Sequence, residues 1–394
     1  MIKFASNQKK ILLFVMIIIT ICELAISFYI PLLPTIREQL NASEYLIQQS
    51  VTVYLLGIGI SAIIYGGLSD ALGRRWIIIT GITVFFISSL LCFWIQSVEF
   101  LIILRLCQGF GAGVAWAIGN ATLRDVFEGK SFAKAMILIH IIAGIEPLFA
   151  YLLGSYIGSI IGWRNCFLVI SITSFALLLC CLLYLPETII EKKKLNLFNI
   201  FNNYYTLLKS KRFLLYLTIK VLAVSVLFVE VTNLSLVFIE QYGLSMPMFG
   251  INVTISIVFY IIGGFVNTKL IDYFTPEQII KLGLLLLLIS NLVLPIFIYF
   301  YSIPTYVIQF IKIPYSFGLA LIFGNATYSI VNTFPKTAGT ASAKMITLEM
   351  IGSSFFTYLL SLFYNNTLYP VIIFTIISSI ISYIALKLVI NLKS

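Results

Sequence analysis

Apolar runs of helix length recur from Ile11 to Leu386 with very little charge inside them, and this leaves few architectures open. About 20 helical residues cross the ~30 Å hydrocarbon layer of a bilayer. In lipid every backbone N–H and C=O must find its partner within the chain, so repeated runs of this length fold as spanning helices. The composition agrees, with 60% of the 394 residues hydrophobic and 10% charged; a soluble domain is about 25% charged. The expected fold class is an all-α polytopic membrane protein.

Twelve spans fit, at about 11–34, 46–68, 76–97, 100–123, 133–160, 164–185, 213–240, 248–270, 278–300, 303–330, 337–363 and 366–386. The first ends in Tyr29-Ile30-Pro31-Leu32-Leu33-Pro34 with no small-residue cleavage site, so it is expected to stay as a helix and not to leave as a secretion signal. One sizeable polar connection, Pro186 to Arg212, follows the sixth span and carries Glu191-Lys192-Lys193-Lys194 and Lys209-Ser210-Lys211-Arg212. The chain therefore divides into an N-terminal six-helix bundle (1–185), a cytoplasmic linker (186–212) and a C-terminal six-helix bundle (213–394).

Charge placement sets the orientation. Both ends and the even-numbered connections carry Lys3, Lys9, Lys10, Arg74, Arg75, Arg124, Lys130, Lys134, the linker cluster, Lys269, Lys281, Lys336, Lys387 and Lys393. Odd-numbered connections carry little beyond Arg37 and Arg164. Basic loops stay on the cytoplasmic side, so both termini are expected there. The net charge of +10 is spread over short loops and reports topology; with no soluble domain to carry a footprint, nucleic acid is not an expected partner. The six cysteines lie in apolar stretches without metal-ligand spacing and are read as small apolar filler.

Two segments carry the most chemistry. The loop after the second span reads Gly66-Gly67-Leu68-Ser69-Asp70-Ala71-Leu72-Gly73-Arg74-Arg75. Gly67 and Gly73 permit tight turns, while Asp70, Arg74 and Arg75 can form a conformational latch whose ion pair makes and breaks; a purely topological basic loop is the plainer alternative. In the fourth span, Arg105 stands more than a turn inside the helix, with Gln108 near the same face and Gly109, Gly111 and Gly113 allowing close packing. An intramembrane arginine must face protein or water, which suggests a part in proton coupling or charge organisation, or structural pairing alone.

These two segments resemble signature motifs of the major facilitator superfamily, above all its twelve-span drug:proton antiporters. The resemblance is nearer still to the bicyclomycin/chloramphenicol-resistance (Bcr/CflA) subfamily. It extends through Ser27-Phe28-Tyr29-Ile30-Pro31-Leu32-Leu33-Pro34, Asn120-Ala121-Thr122-Leu123-Arg124-Asp125 and Gly162-Trp163-Arg164-Asn165-Cys166-Phe167. In the second half it takes in Tyr242-Gly243-Leu244-Ser245, Phe249-Gly250, Gly324-Asn325-Ala326 and Ala338-Gly339-Thr340-Ala341-Ser342-Ala343. What the resemblance implies is the major facilitator fold and export driven by a proton gradient, with no cofactor.

The chain departs from that pattern twice. Where the subfamily usually has an acid before the aromatic pair, this chain has Ser27, with Glu23 one helical turn earlier. In the fifth span Pro147 keeps one expected proline while Tyr151 stands in place of the second.

A carboxylate in a poorly solvated site is the group by which a carrier takes up and releases a proton. The candidates for coupling are Glu23, Arg105, Glu146 and Glu230, in the carboxylate order Glu23, Glu146, Glu230. Lys220, Lys312 and Lys344 are possible partners for these carboxylates and for Glu349; paired structural charge is the plainer reading, particularly for Glu349 and Lys344, which are five residues apart and not well aligned on one face. Solitary His140 reads as a helix-packing residue. Candidates for a substrate cavity are Ser27, Phe28, Tyr29, Gln108, Trp116 and Phe228. Pro147, Pro295 and Pro314 are candidate kinks.

No nucleotide-binding loop, metal cluster or assembled nucleophile and base is legible, so no enzyme is expected. The function expected is proton-coupled efflux of small amphiphilic organic compounds by alternating access. It would be carried out by a monomer in the bacterial inner membrane, with protons and lipid as its other partners. The alternatives are a proton-coupled metabolite symporter or facilitator and, in another class, a non-transporting receptor or scaffold.

Overall fold

The computed structural model describes residues 5–189, 192, 207–300, 304–333 and 338–392. Lys3, Lys193, Lys194, Lys336 and Lys393 lie outside the described residues, as do linker positions 190–191 and 193–206 and the side chains of Lys130 and 338–343.

In chain order the helices are α1 (Ser6–Ser27), α2 (Leu33–Gln39), α3 (Glu44–Leu72), α4 (Arg74–Leu91), α5 (Val98–Ala112), α6 (Val114–Val126), α7 (Gly129–Ile161) and α8 (Trp163–Tyr184). After the linker come α9 (Lys211–Leu236), α10 (Met246–Leu270), α11 (Pro276–Phe300), α12 (Thr305–Ile311), α13 (Ile313–Thr333), α14 (Ala338–Ser361) and α15 (Tyr369–Asn391). A 3₁₀ turn at Ile30–Leu32 joins α1 to α2, and a π turn at Val237–Gln241 widens the end of α9. Serine caps begin several spans: the Ser43, Ser97 and Ser210 hydroxyls accept from the backbone N–H groups of Leu46, Phe100 and Phe213.

Among the described residues, ten segments are long and apolar enough to cross a bilayer, and α12 with α13 makes an eleventh, bent by 41°. The bend falls at Lys312, just before Pro314, whose ring removes a donor from the helix. Helix α14 has membrane length, 24 residues, but its composition is more polar than the others, with Lys344, Glu349, Ser353, Ser354 and Thr357. That polarity is tolerated because α14 packs between α3 and α9.

Helices α1 to α8 pack mainly on one another, as do α9 to α15, and they meet chiefly through α3 against α14 and α7 against α10. Lipid supplies little hydrophobic drive for helices to associate, so close packing of small residues matters. Gly109 of α5 shows it: a Cβ there would stand 2.1 Å from the Tyr54 carbonyl oxygen of α3.

The two sets of helices touch on the side away from Ser6 and Asn391 and also midway along α3 and α14, where a Cβ at Gly59 would meet Ile351 and Thr347. On the side away from the termini Ser235 donates to the Ile30 carbonyl (2.6 Å) and Gln49 to the Ser361 hydroxyl (2.6 Å), and nearer mid-helix Thr254 donates to the Leu148 carbonyl (3.2 Å). Arg37 adds a 2.9 Å ion pair with Glu240 while also pairing with Glu44. One buried apolar cluster runs through the first half and into Leu236, Phe238, Phe249, Ile308 and Ile372 at this end. A separate cluster, including Phe213, Leu284, Ile330 and Leu386, fills the termini side of the second half alone. Near the termini-side end of α3 and midway along α7, a Cβ at Gly66 or Gly144 would meet nothing within 4 Å.

Candidate functional site

Two carboxylates come together where α1, α6 and α7 meet. The indole Nε1 of Trp116 donates to Glu23 Oε1 at 2.7 Å, and the His140 ring lies 5.8 Å from the Trp116 ring, centroid to centroid. One turn further along α1, the Ser27 hydroxyl donates to Glu146 Oε2 at 3.3 Å. Glu23 is half-buried, whereas Glu146 is buried and its Oε1 has no hydrogen-bond partner. The two are close enough for their charges to interact. Among the described residues, neither is in ion-pair contact with a lysine or arginine.

Arg105 is fully buried beside this site and, among the described residues, is held without a carboxylate. Its Nη1 donates to the Ala25 carbonyl (3.0 Å) and to Gln108 Oε1 (2.5 Å), and Gln108 in turn donates to Ser89 (2.7 Å). The guanidinium lies 4.2 Å from the Tyr29 ring centroid and 4.1 Å from that of Tyr54. This is a planar cation between two π faces, an arrangement an arginine can make and a lysine cannot reproduce. The tyrosines are fixed in their turn: Tyr29 and Ser50 hydroxyls lie 2.5 Å apart, and Tyr54 donates to the Cys22 carbonyl at 2.7 Å.

The remaining intramembrane charges pair within the second half. Glu230 of α9 meets Lys312, at the α12–α13 break, at 2.6 Å. Glu349 of α14 faces Lys220 of α9 at 3.9 Å, so its ion-pair partner lies on another helix and not at Lys344. The six cavity candidates separate by burial. Ser27, Phe28, Tyr29 and Gln108 are sealed within the first half, whereas Trp116 and Phe228 are partly exposed.

The loop motif closes into a cluster at the termini side. Arg74 pairs with Asp70 at 2.5 Å and with Asp125 of α6 at 3.0 Å, and also donates to the Ser69 hydroxyl at 2.6 Å. Glu187 accepts from the backbone N–H groups of Arg74 (2.9 Å) and Arg75 (3.3 Å), placing a carboxylate at the start of α4 where the helix dipole favours it. Gly73 turns the chain there at φ +109°. Arg75 donates to the Leu182 carbonyl at 2.7 Å; Gly66 to Leu72, expected in the loop, instead complete α3, so Gly67 lies within a helix and the turn falls at Gly73. Asp125 and Glu187 escaped the sequence reading as members of this cluster. Their nearness to Arg74 depends on where α6 and α8 end, and no local spacing encodes that. Among the described residues, no group of three or more His, Cys, Asp or Glu is placed to hold a metal ion.

The architecture is shared with solved transporters. A bacterial homologue of the human lysosomal transporter Spinster, in an inward-facing and unoccupied conformation, superposes with TM-score 0.78 at 14% identity, covering 99% of each chain. The xylose transporter XylE of E. coli gives 0.73 at 15% identity, covering 96% of this chain and 97% of the other. Among curated proteins, a bicyclomycin resistance protein homolog of Haemophilus influenzae is 27% identical over 350 residues, 86% of each chain. Multidrug resistance protein MdtL of Shigella dysenteriae is 26% identical over 347 residues, 85% of this chain and 84% of its own. The family model of the Major Facilitator Superfamily matches residues 15–357. The all-helical membrane architecture, the Gly73-Arg74-Arg75 loop and that match agree: the chain belongs to the Major Facilitator Superfamily.

Proposed function

We propose that this protein exports small amphiphilic organic compounds in exchange for protons by alternating access. Residues 1–185 and 213–394 act as the two moving bundles and 186–212 as the cytoplasmic linker. With both termini in the cytoplasm of a bacterial cell, the closed end faces outward and the conformation is inward-facing. The protein works as a monomer in the inner membrane. The resistance proteins among its relatives support the substrate class.

The observation that carries the reading is the state of Glu23. A proton carrier cannot be committed to a fixed cation, because a permanent ion pair holds the carboxylate charged. Glu230 and Glu349 each face a lysine, whereas Glu23 is tied to a neutral indole and remains partly exposed. Glu146 is the second candidate, held by the Ser27 hydroxyl. In the exchange cycle, a proton arriving from outside neutralises Glu23 and lowers the cost of closing the bundles around it. Release of that proton to the cytoplasm restores the charge and readies the site for substrate. Arg105 keeps the aromatic frame around α1 in place, and the Arg74 cluster fastens the termini side of the first bundle.

The test uses proteoliposomes with an imposed pH gradient and an amphiphilic dye. In Glu23→Gln the amide oxygen still accepts from Trp116, so dye binding is retained, while gradient-driven flux falls at least about tenfold. Unchanged coupling in this variant rejects Glu23 as the carrier. Dye equilibration in the wild type that ignores the gradient rejects antiport and favours a facilitator.

A further inference from the structure

The second half holds two intramembrane ion pairs that differ in kind. Glu230 and Lys312 are 2.6 Å apart with side chains 7% and 3% exposed, a closed pair. Lys220 and Glu349 are 3.9 Å apart, and each keeps about a tenth of its side chain exposed (10% and 9%). Charged hydrogen bonds close at about 2.7–2.9 Å, so the second pair leaves hydrogen-bonding capacity unused on both partners. Among the described residues no hydrogen bond to either side chain is found. Two charges held this way in a membrane are costly, since a loose pair recovers little of its desolvation penalty.

Two aromatic rings stand beside the pair. The Lys220 ammonium lies 4.2 Å from the Phe323 ring centroid, and Phe323 meets Tyr260 edge to face at 5.9 Å; both rings are half-buried. Immediately toward the closed end, α9 and α14 press together: a Cβ at Gly352 would stand 2.4 Å from Val221, and Ser225 donates to Ser353 at 3.3 Å. On its opposite face α14 meets Gly59 of α3 through Thr347 and Ile351. The pair thus sits level with a contact between the two bundles.

We propose that Lys220 and Glu349 form a subsite for zwitterionic aromatic compounds. The ligand's carboxylate pairs with the Lys220 ammonium, its ammonium pairs with the Glu349 carboxylate, and its ring lies against Phe323 and Tyr260. The charge class follows from the pair. A lone cation would neutralise Glu349 and strip Lys220 of its counter-charge, and a lone anion would do the reverse. A zwitterion satisfies both at once. The assignment rests on the exporter reading above, whose substrate class it narrows.

The test uses the full-length protein and four matched probes: tryptophan (zwitterion), tryptophan methyl ester (cation), N-acetyltryptophan (anion) and N-acetyltryptophan methyl ester (neutral). Binding is measured directly, by calorimetry in detergent. The wild type binds tryptophan at least about tenfold more tightly than the other three. Lys220→Met shifts preference to the cationic ester and Glu349→Gln to the N-acetyl anion. The exchanged variant Lys220→Glu/Glu349→Lys restores preference for the zwitterion, which separates charge recognition from loss of fold. Equal affinity for all four probes in the wild type, including none measurable, overturns the proposal. So does an equal loss for all four in both single variants. Dye flux under a pH gradient is measured on the same preparations. Loss of proton coupling with the probe ranking intact would reject the exporter reading and leave the subsite standing, and the converse result would reject only the subsite.

Discussion

Ser27 and Glu146 account for each other. The sequence pattern led us to expect Glu23 as the substitute for the acid absent at position 27, because it lies one turn away on the same helix. The structure places Glu146 of α7 directly against the Ser27 hydroxyl. An aspartate at 27 would face that carboxylate, and two like charges about 4 Å apart repel by roughly 4 kcal/mol at an effective dielectric of about 20. Ser27→Asp alone is therefore expected to lower gradient-driven flux and thermal stability together. Ser27→Asp combined with Glu146→Ala is expected to recover most of both, a coupling a double-mutant cycle measures. Recovery no better than the sum of the single variants would show that the two sites are independent. Arg105 teaches a related lesson: the chain shows an arginine inside a span, but the two tyrosine rings that hold it come from α3 and the turn after α1.

Among the elements, the α3–α4 turn carries the plainest constraint. Gly73 adopts φ +109°, and a Cβ there would stand 2.3 Å from Glu187 Oε2. Gly73→Ala therefore combines backbone strain with displacement of the carboxylate that caps α4. A loss of about 1–3 kcal/mol is expected, read as a lower unfolding temperature in detergent. An unchanged unfolding temperature would show that the cap yields without cost. Breaks within spans were only partly visible beforehand. Pro147 and Pro295 lie inside continuous α7 and α11, while the 41° bend comes at Lys312, near Pro314. Proline marks where a helix can bend, and the neighbours decide whether it does. At Lys312 the charge of Glu230 and the Ser290 hydroxyl, which donates to the Ile311 carbonyl at 2.8 Å, occupy the break.

At the scale of the whole molecule, the bundles are fastened at one end, and alternating access requires that fastening to open. With the native cysteines replaced, Gln49→Cys and Ser361→Cys replace side chains that are hydrogen-bonded at 2.6 Å across the two bundles. Oxidative cross-linking is expected to abolish flux and reduction to restore it; full flux through the cross-linked protein would exclude separation of this end during transport. The sequence by itself determined the helical class and the places where most spans begin and end to within a few residues. Each of these depends on local hydrophobic runs and loop charge, quantities a single segment carries. Only the tertiary structure decided which charges meet: Glu349 with Lys220, Glu230 with Lys312, Arg74 with Asp125, and Arg105 with no acid among the described residues. Helical periodicity assigns a residue to a face of its own helix. The rotation and crossing of neighbouring helices, set by close approaches such as Gly109 on Tyr54 and Gly352 on Val221, choose the partner that face receives.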